Sequence, residues 1–201
     1  MMLESFTKGL LAITVGELGD KTFFIAVILA MSNPRKLVFT GVIGALASMT
    51  ILSVLIGQTI ANIVPQIYVH FGEIFLFTVF GLKLLYDGMK MKESKQSEGE
   101  EEALLTLEKT EKKTGIWGVI VQAFVLTFIA EWGDRTQITT IALATSNEVI
   151  PVTLGAIMGH SIAAAIAVLG GRLIAGHISE KKITLIGGLL FLIFAIVAVI
   201  K

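Results

Sequence analysis

The chain of 201 residues has no cysteine, which excludes disulfides, thiolate metal sites and cysteine nucleophiles together. It also has no excess charge of either sign. Sixteen basic residues offset sixteen acidic ones, so no basic surface argues for nucleic acid as a partner. The N-terminus lacks a basic n-region, and its first apolar run carries Glu17 and Asp20 in the middle, which argues against a cleaved signal peptide. Charged residues make up only 16% of the chain, against 54% hydrophobic residues and a mean hydropathy of +0.83. An ordinary soluble domain is not built this way. With about 20 residues needed per spanning helix, the chain has room for roughly six spans and little else. The expectation is an all-α integral membrane protein whose solvent is the lipid bilayer.

Six apolar runs mark the spans, at about 6–31, 37–64, 71–86, 116–145, 150–175 and 183–200. The first is closed by Ser32-Asn33-Pro34-Arg35-Lys36, because proline cannot continue a helix. The second is rich in small residues, which let helix backbones approach closely within a membrane. Lys83, near the end of the third, reads as a snorkelling lysine. Residues 89–115 are the hydrophilic stretch, with lysines interleaved among Glu93, Glu98, Glu100, Glu101, Glu102, Glu108 and Glu111. They read as a flexible, solvated linker, with attraction of cations by Glu98 to Glu102 as the sharper alternative.

One pattern occurs twice. Glu17-Leu18-Gly19-Asp20-Lys21-Thr22 returns 114 positions later as Glu131-Trp132-Gly133-Asp134-Arg135-Thr136. At the same offset Ser32-Asn33 meets Ser146-Asn147, Gly41 meets Gly155, and Phe80 meets Phe194. The chain therefore divides into a first three-helix repeat (1–88), a charged linker (89–115) and a second three-helix repeat (116–201). Three is odd, so successive halves enter the membrane from opposite sides. That gives a 3+3 inverted repeat with a pseudo-two-fold axis in the membrane plane, and discontinuous motif-bearing helices 1 and 4. Loops after the odd-numbered spans hold most lysines and arginines, which places the linker in the cytoplasm and both termini outside.

Ionisable groups in the middle of a span are costly and by default functional. Glycine between the two acids weakens the helix, and an unwound turn at mid-depth is tolerated where it lines a cavity. Glu17, Asp20, Glu131 and Asp134 then offer hard oxygens with no sulfur, a set suited to Ca²⁺, Mn²⁺ or Mg²⁺. Thr22, Thr136 and Gln137 are candidates for neutral oxygens. Carboxylates crowded away from water favour holding protons, which an arriving divalent cation displaces; such competition is the chemical basis of antiport. A purely structural role is the alternative, because Glu17 precedes Lys21 and Glu131 precedes Arg135 by the four residues that favour an intrahelical ion pair. In the functional reading Lys21 and Arg135 hold the acids or stand in for the cation. His160, in the fifth span, is a candidate proton relay or ligand, or else a hydrogen-bonded packing histidine. Ser48 is expected to join helices by a hydrogen bond. Trp132 either walls the site or packs.

These residues resemble the signature of a known family, the Golgi-type Ca²⁺/Mn²⁺:H⁺ antiporters with their bacterial and chloroplast relatives. Its paired Glu-x-Gly-Asp-(Lys/Arg)-(Thr/Ser) is matched at every fixed position by Glu17 to Thr22 and by Glu131 to Thr136. The resemblance covers essentially the whole chain. It implies a secondary transporter rather than an enzyme, with Glu17, Asp20, Glu131 and Asp134 as metal and proton ligands. It further implies Mn²⁺ or Ca²⁺ as transported ions, H⁺ as the coupled ion and no tightly bound cofactor. A short form like this one resembles the bacterial manganese exporters, which implies the bacterial inner membrane. GxxxG spacing at Gly155 and Gly159 leaves open whether close helix contacts lie within a subunit or in a homo-oligomer. Two rivals remain at this point. A six-span amino-acid exporter has a similar size but does not require doubled acids. An intramembrane aspartyl hydrolase using Asp20 and Asp134 resembles Gly-x-Gly-Asp, which Glu17 and Glu131 spoil.

Overall fold

The structure, a computed structural model, describes residues 2–91, 98–110, 113–175 and 179–200. Among the described residues all regular structure is helical: α1 (Met2–Glu17), α2 (Lys21–Ser32), α3 (Arg35–Ile63), α4 (Gln66–Lys90), α5 (Glu98–Glu108), α6 (Ile116–Glu131), α7 (Arg135–Ser146), α8 (Val149–Ala175) and α9 (Glu180–Ile200). Four helices are long and apolar enough to cross a membrane, within α3, α4, α8 and α9. The pair α6 and α7 makes a fifth span if counted as one, bent by 71° at its break. Their outward residues are large and apolar, such as Ile51, Leu55, Phe75, Leu154 and Ile196, as a surface facing lipid requires.

The first and fourth expected spans are each two helices, divided at the motif. Helices α1 and α6 stop at Glu17 and Glu131; α2 and α7 begin at Lys21 and Arg135. Both breaks are the same turn. Asp20 N–H donates to the Glu17 carbonyl at 3.2 Å, and Asp134 N–H to the Glu131 carbonyl at 3.1 Å. Gly19 and Gly133 sit at φ 80° and 82°, the left-handed region that side chains disfavour and that ends helices. The third span is longer than its apolar core suggests. Helix α4 starts at Gln66, directly after Pro65, because proline is well suited to a helix start.

Packing exchanges between the two halves. Helix α1 lies on α8 as α6 lies on α3; α2 lies on α8 as α7 lies on α3; α4 lies against α9. A Cβ added to Gly41 of α3 would meet the Ile120 carbonyl of α6 at 2.5 Å, and Gly155 of α8 crosses the Phe6 carbonyl of α1 in the corresponding way. These crossings are possible only without a side chain, which is what small residues supply in membrane bundles.

The linker departs from the solvated reading. Part of it, α5, packs on α2, with Ala103 fully buried in the core beside Phe23 and Phe24 and with Leu107 against the same cluster. Ala103 and Leu107 are four apart and share a helix face, so the acidic stretch is amphipathic rather than uniformly polar. The lysines and glutamates at 92–97 and 111–112 lie outside the described residues.

Candidate metal centre

The two breaks meet in the interior. Helices α1 and α6 end there, bringing carbonyl groups, and α2 and α7 begin there, bringing N-terminal ends that favour negative charge. Asp20 and Asp134 are the N-caps of α2 and α7. Asp134 caps in the usual way, accepting from the Thr136 N–H at 3.2 Å. Asp20 makes no such cap bond and instead accepts from Arg135 at 3.3 Å.

Glu17 and Glu131 are 2% and 1% exposed, and each is held by the threonine of its own motif. Thr22 Oγ1 donates to Glu17 Oε2 at 3.0 Å, and Thr136 Oγ1 to Glu131 Oε2 at 2.9 Å. Asp20, Glu131 and Asp134 each place one oxygen within 4.8 Å of the others, close enough for one ion to touch all three. Glu17 stands beside this trio, with His160 Nδ1 3.2 Å from its Oε1. Asp20 Oδ2 and Glu131 Oε1 are buried without a hydrogen-bond partner among the described residues. Carboxylate oxygens left bare away from water call for a proton or a cation.

The intrahelical ion pairs allowed by spacing do not form. The break puts Glu17 and Lys21, and Glu131 and Arg135, on different helices, and Arg135 crosses to Asp20 instead. The two motifs are thus joined by a charge pair from copy to copy. Gln137 has a different task from the one its type suggests. Its Oε1 accepts from the Gly133 N–H at 2.7 Å and its Nε2 lies 3.0 Å from Met49 Sδ, so it braces the second turn. Ser48 donates to the Gly44 carbonyl of its own helix at 2.7 Å. Trp132 neither walls the site nor packs in the core; it is 66% exposed, its ring 6.0 Å from that of Phe128.

A cavity of about 400 Å³ reaches the first motif at Asp20 and the second at Arg135 and Thr136. Gly19, Asp20, Arg135 and Thr136 line it, together with Lys83, Asp87, Met91 and Glu102. Thr139 also lines it, 1% exposed, its hydroxyl without a partner among the described residues; Thr127, fully buried one turn before Glu131, is in the same condition. Sequence reasoning missed both threonines. The available signal was their spacing, four residues before Glu131 and three after Thr136, on the faces that carry the motif.

Broken helices that meet around bare carboxylates in a bundle of membrane-spanning length, with a cavity reaching Asp20, define a membrane transporter for a cation. The sequence profile of the divalent cation/proton antiporter GDT1 matches residues 5–92 and 119–201. The chain is 57% identical over 201 residues to a GDT1-like protein of Synechocystis, covering 98% of this chain and 97% of that one. It is 38% identical to GDT1-like protein 5 of Arabidopsis thaliana, with 97% and 95% covered, and 39% identical to the chloroplastic PAM71-homolog of the same plant, with 96% and 58% covered. No solved structure matches it. The chain belongs to the GDT1 family of divalent cation/proton antiporters. It is a transporter, not an enzyme.

Proposed function

We propose that the chain exchanges Mn²⁺, Ca²⁺ or both for protons and exports Mn²⁺ from the cytoplasm, with Glu17, Asp20, Glu131 and Asp134 carrying cation and protons in turn. The carrying observation is the convergence of Asp20, Glu131 and Asp134 within 4.8 Å. Bare oxygen ligands without sulfur suit these hard ions. A divalent ion arriving from the cavity displaces protons from the acids; protons returning from the other side release it. Protons flowing inward then drive the cation out. Arg135, 3.3 Å from Asp20 Oδ1, must yield that oxygen when the ion binds. Thr22, Thr136 and Gln137 hold the acids and the turn, Lys21 adds charge at the α2 start, and His160 passes protons to and from Glu17.

The membrane arrangement belongs to the same proposal. The six-span 3+3 inverted repeat counts α1 with α2, and α6 with α7, as one span each. Its support is the repeat at offset 114 and the exchange of packing partners between halves. The halves 1–88 and 116–201 flank the linker, which faces the cytoplasm with both termini outside, in a bacterial inner membrane.

The test is flux in sealed proteoliposomes under an imposed pH gradient, followed for Mn²⁺ and Ca²⁺ separately. The expected result is uphill movement of at least one ion, stopped by Glu17→Gln and by Asp134→Asn. No movement of either ion, or normal movement in both variants, would overturn the reading.

A further inference from the structure

Two polar clusters lie at opposite ends of α4. Toward its C-terminus Lys83, Asp87 and Met91 line the cavity that reaches Asp20. Toward its N-terminus, roughly 20 Å away at 1.5 Å per residue, Glu73 belongs to a buried knot with Lys8 of α1 and Asn147, the C-cap of α7. Lys8 Nζ donates to Asn147 Oδ1 at 3.3 Å and lies 4.0 Å from Glu73 Oε1 and 3.5 Å from Glu4 Oε1. Asn147 Nδ2 donates to the same Glu73 oxygen at 3.4 Å. Lys8 and Glu73 are 5% and 6% exposed, on a small cavity of about 90 Å³ that His70, Ser146 and Ala198 also line. A buried ion pair adds little net stability, while losing one partner is strongly destabilising to that arrangement. Such a pair is better suited to choosing between arrangements than to strengthening one.

The helices this knot joins are also the ones that break the exchange between halves. Helix α1 packs on α9 and α7 packs on α4, but their counterparts, α6 with α4 and α2 with α9, make no comparable contact. At offset 114 Lys8, Glu73 and Asn147 correspond to Gln122, Gly187 and Asn33, none of them charged. Gln122 accepts from the Lys113 N–H at 3.2 Å, Asn33 donates to its own helix at the Leu29 carbonyl, and Gly187 lines the large cavity. One end of the bundle carries this charged knot, and the corresponding residues at its image have other partners.

We propose that Lys8, Glu73 and Asn147 are the gate of the transport path at the end remote from α5. The inference rests on the exchanger reading and adds how the site changes sides. In the arrangement described here the gate is closed and the path opens toward α5. Parting Lys8 from Glu73 frees α4 from α1 and α7. By the repeat, the other end then closes as α6, α9 and α2 bring Gln122, Gly187 and Asn33 together. With no charge pair at that second gate, the two arrangements are unequal, and the one open toward α5 is the resting state.

The absence of native cysteine makes the test clean. Single cysteines at Ala198→Cys, beside the knot, and Thr184→Cys, on the large cavity, are labelled with a hydrophilic maleimide in protein reconstituted in nanodiscs, where both faces are accessible. Glu73→Gln and Lys8→Met should speed labelling at 198 by about tenfold or more and slow it at 184, as loss of one partner of a buried pair tips the balance. Lys8→Arg should remain close to the parent. Unchanged rates at both positions would overturn the gate, and so would rates that rise together, which report a loosened fold. Thermal stabilisation by Mn²⁺ and Ca²⁺ is measured on the same samples. It should persist in Glu73→Gln, whose motif acids are intact. If neither ion stabilises even the parent, the exchanger reading fails, while reciprocal labelling still reports the gate.

Discussion

The two motif copies share one backbone and have different surroundings. Gly19 is covered: the backbone of Gly99 in α5 lies so close that an added Cβ there would meet the Gly19 carbonyl at 2.8 Å. Gly133 has nothing within 4 Å of an added Cβ, and its neighbour Trp132 is exposed. Around the first copy the interior is apolar, with Ile13, Phe23, Ile25 and Ala26 buried. The positions 114 further on are Thr127, Gln137, Thr139 and Thr140, buried as well. The second copy is therefore the more polar, and it supplies Glu131 and Asp134 to the trio of acids, the first copy only Asp20. Glu17 turns instead to His160. Duplication provided two equal turns; the side chains around them divided the acids, three in one cluster and Glu17 beside His160.

That division has consequences for each copy. The largest expected difference is between the two glutamates. Glu131→Gln should abolish the stabilisation by Mn²⁺, which for the parent amounts to about 2.7 kcal/mol at a hundredfold excess over Kd. Glu17→Gln should keep a substantial part of that stabilisation while stopping exchange. Thermal denaturation with and without Mn²⁺ checks both, and equal loss in the two variants would erase the distinction. A smaller effect is expected from the hydroxyls. Thr139→Val, which preserves shape, should weaken metal affinity by about tenfold, the low end for groups supporting a metal site. Ile25→Val, at the matching place in the first copy, should leave it unchanged; metal titration of the two variants decides.

Much of this was legible in the sequence. The doubled motif sits in apolar runs, and glycine between acids marks the break, so the two helix breaks and the acids beside them follow from residue type and position alone. Which acids meet does not. It depends on how α1, α2, α6 and α7 converge, and the break itself turns Arg135 away from Glu131 and toward Asp20. The docking of α5 left a faint trace in the spacing of Ala103 and Leu107, outweighed by the glutamates around them. Glu73 left a plainer one. It is a carboxylate within an apolar run, but its partners Lys8 and Asn147 lie 65 and 74 residues away in sequence. Only the folded chain pairs them.

The central claim is that cation and protons compete for one set of acids. Proton release on binding tests it most directly: purified protein in weak buffer is titrated with Mn²⁺ while pH and bound metal are followed together. Competition predicts that pH falls as the ion binds, and that Glu131→Gln and Asp134→Asn abolish binding and release together. Stoichiometric Mn²⁺ binding with no change in pH would contradict it.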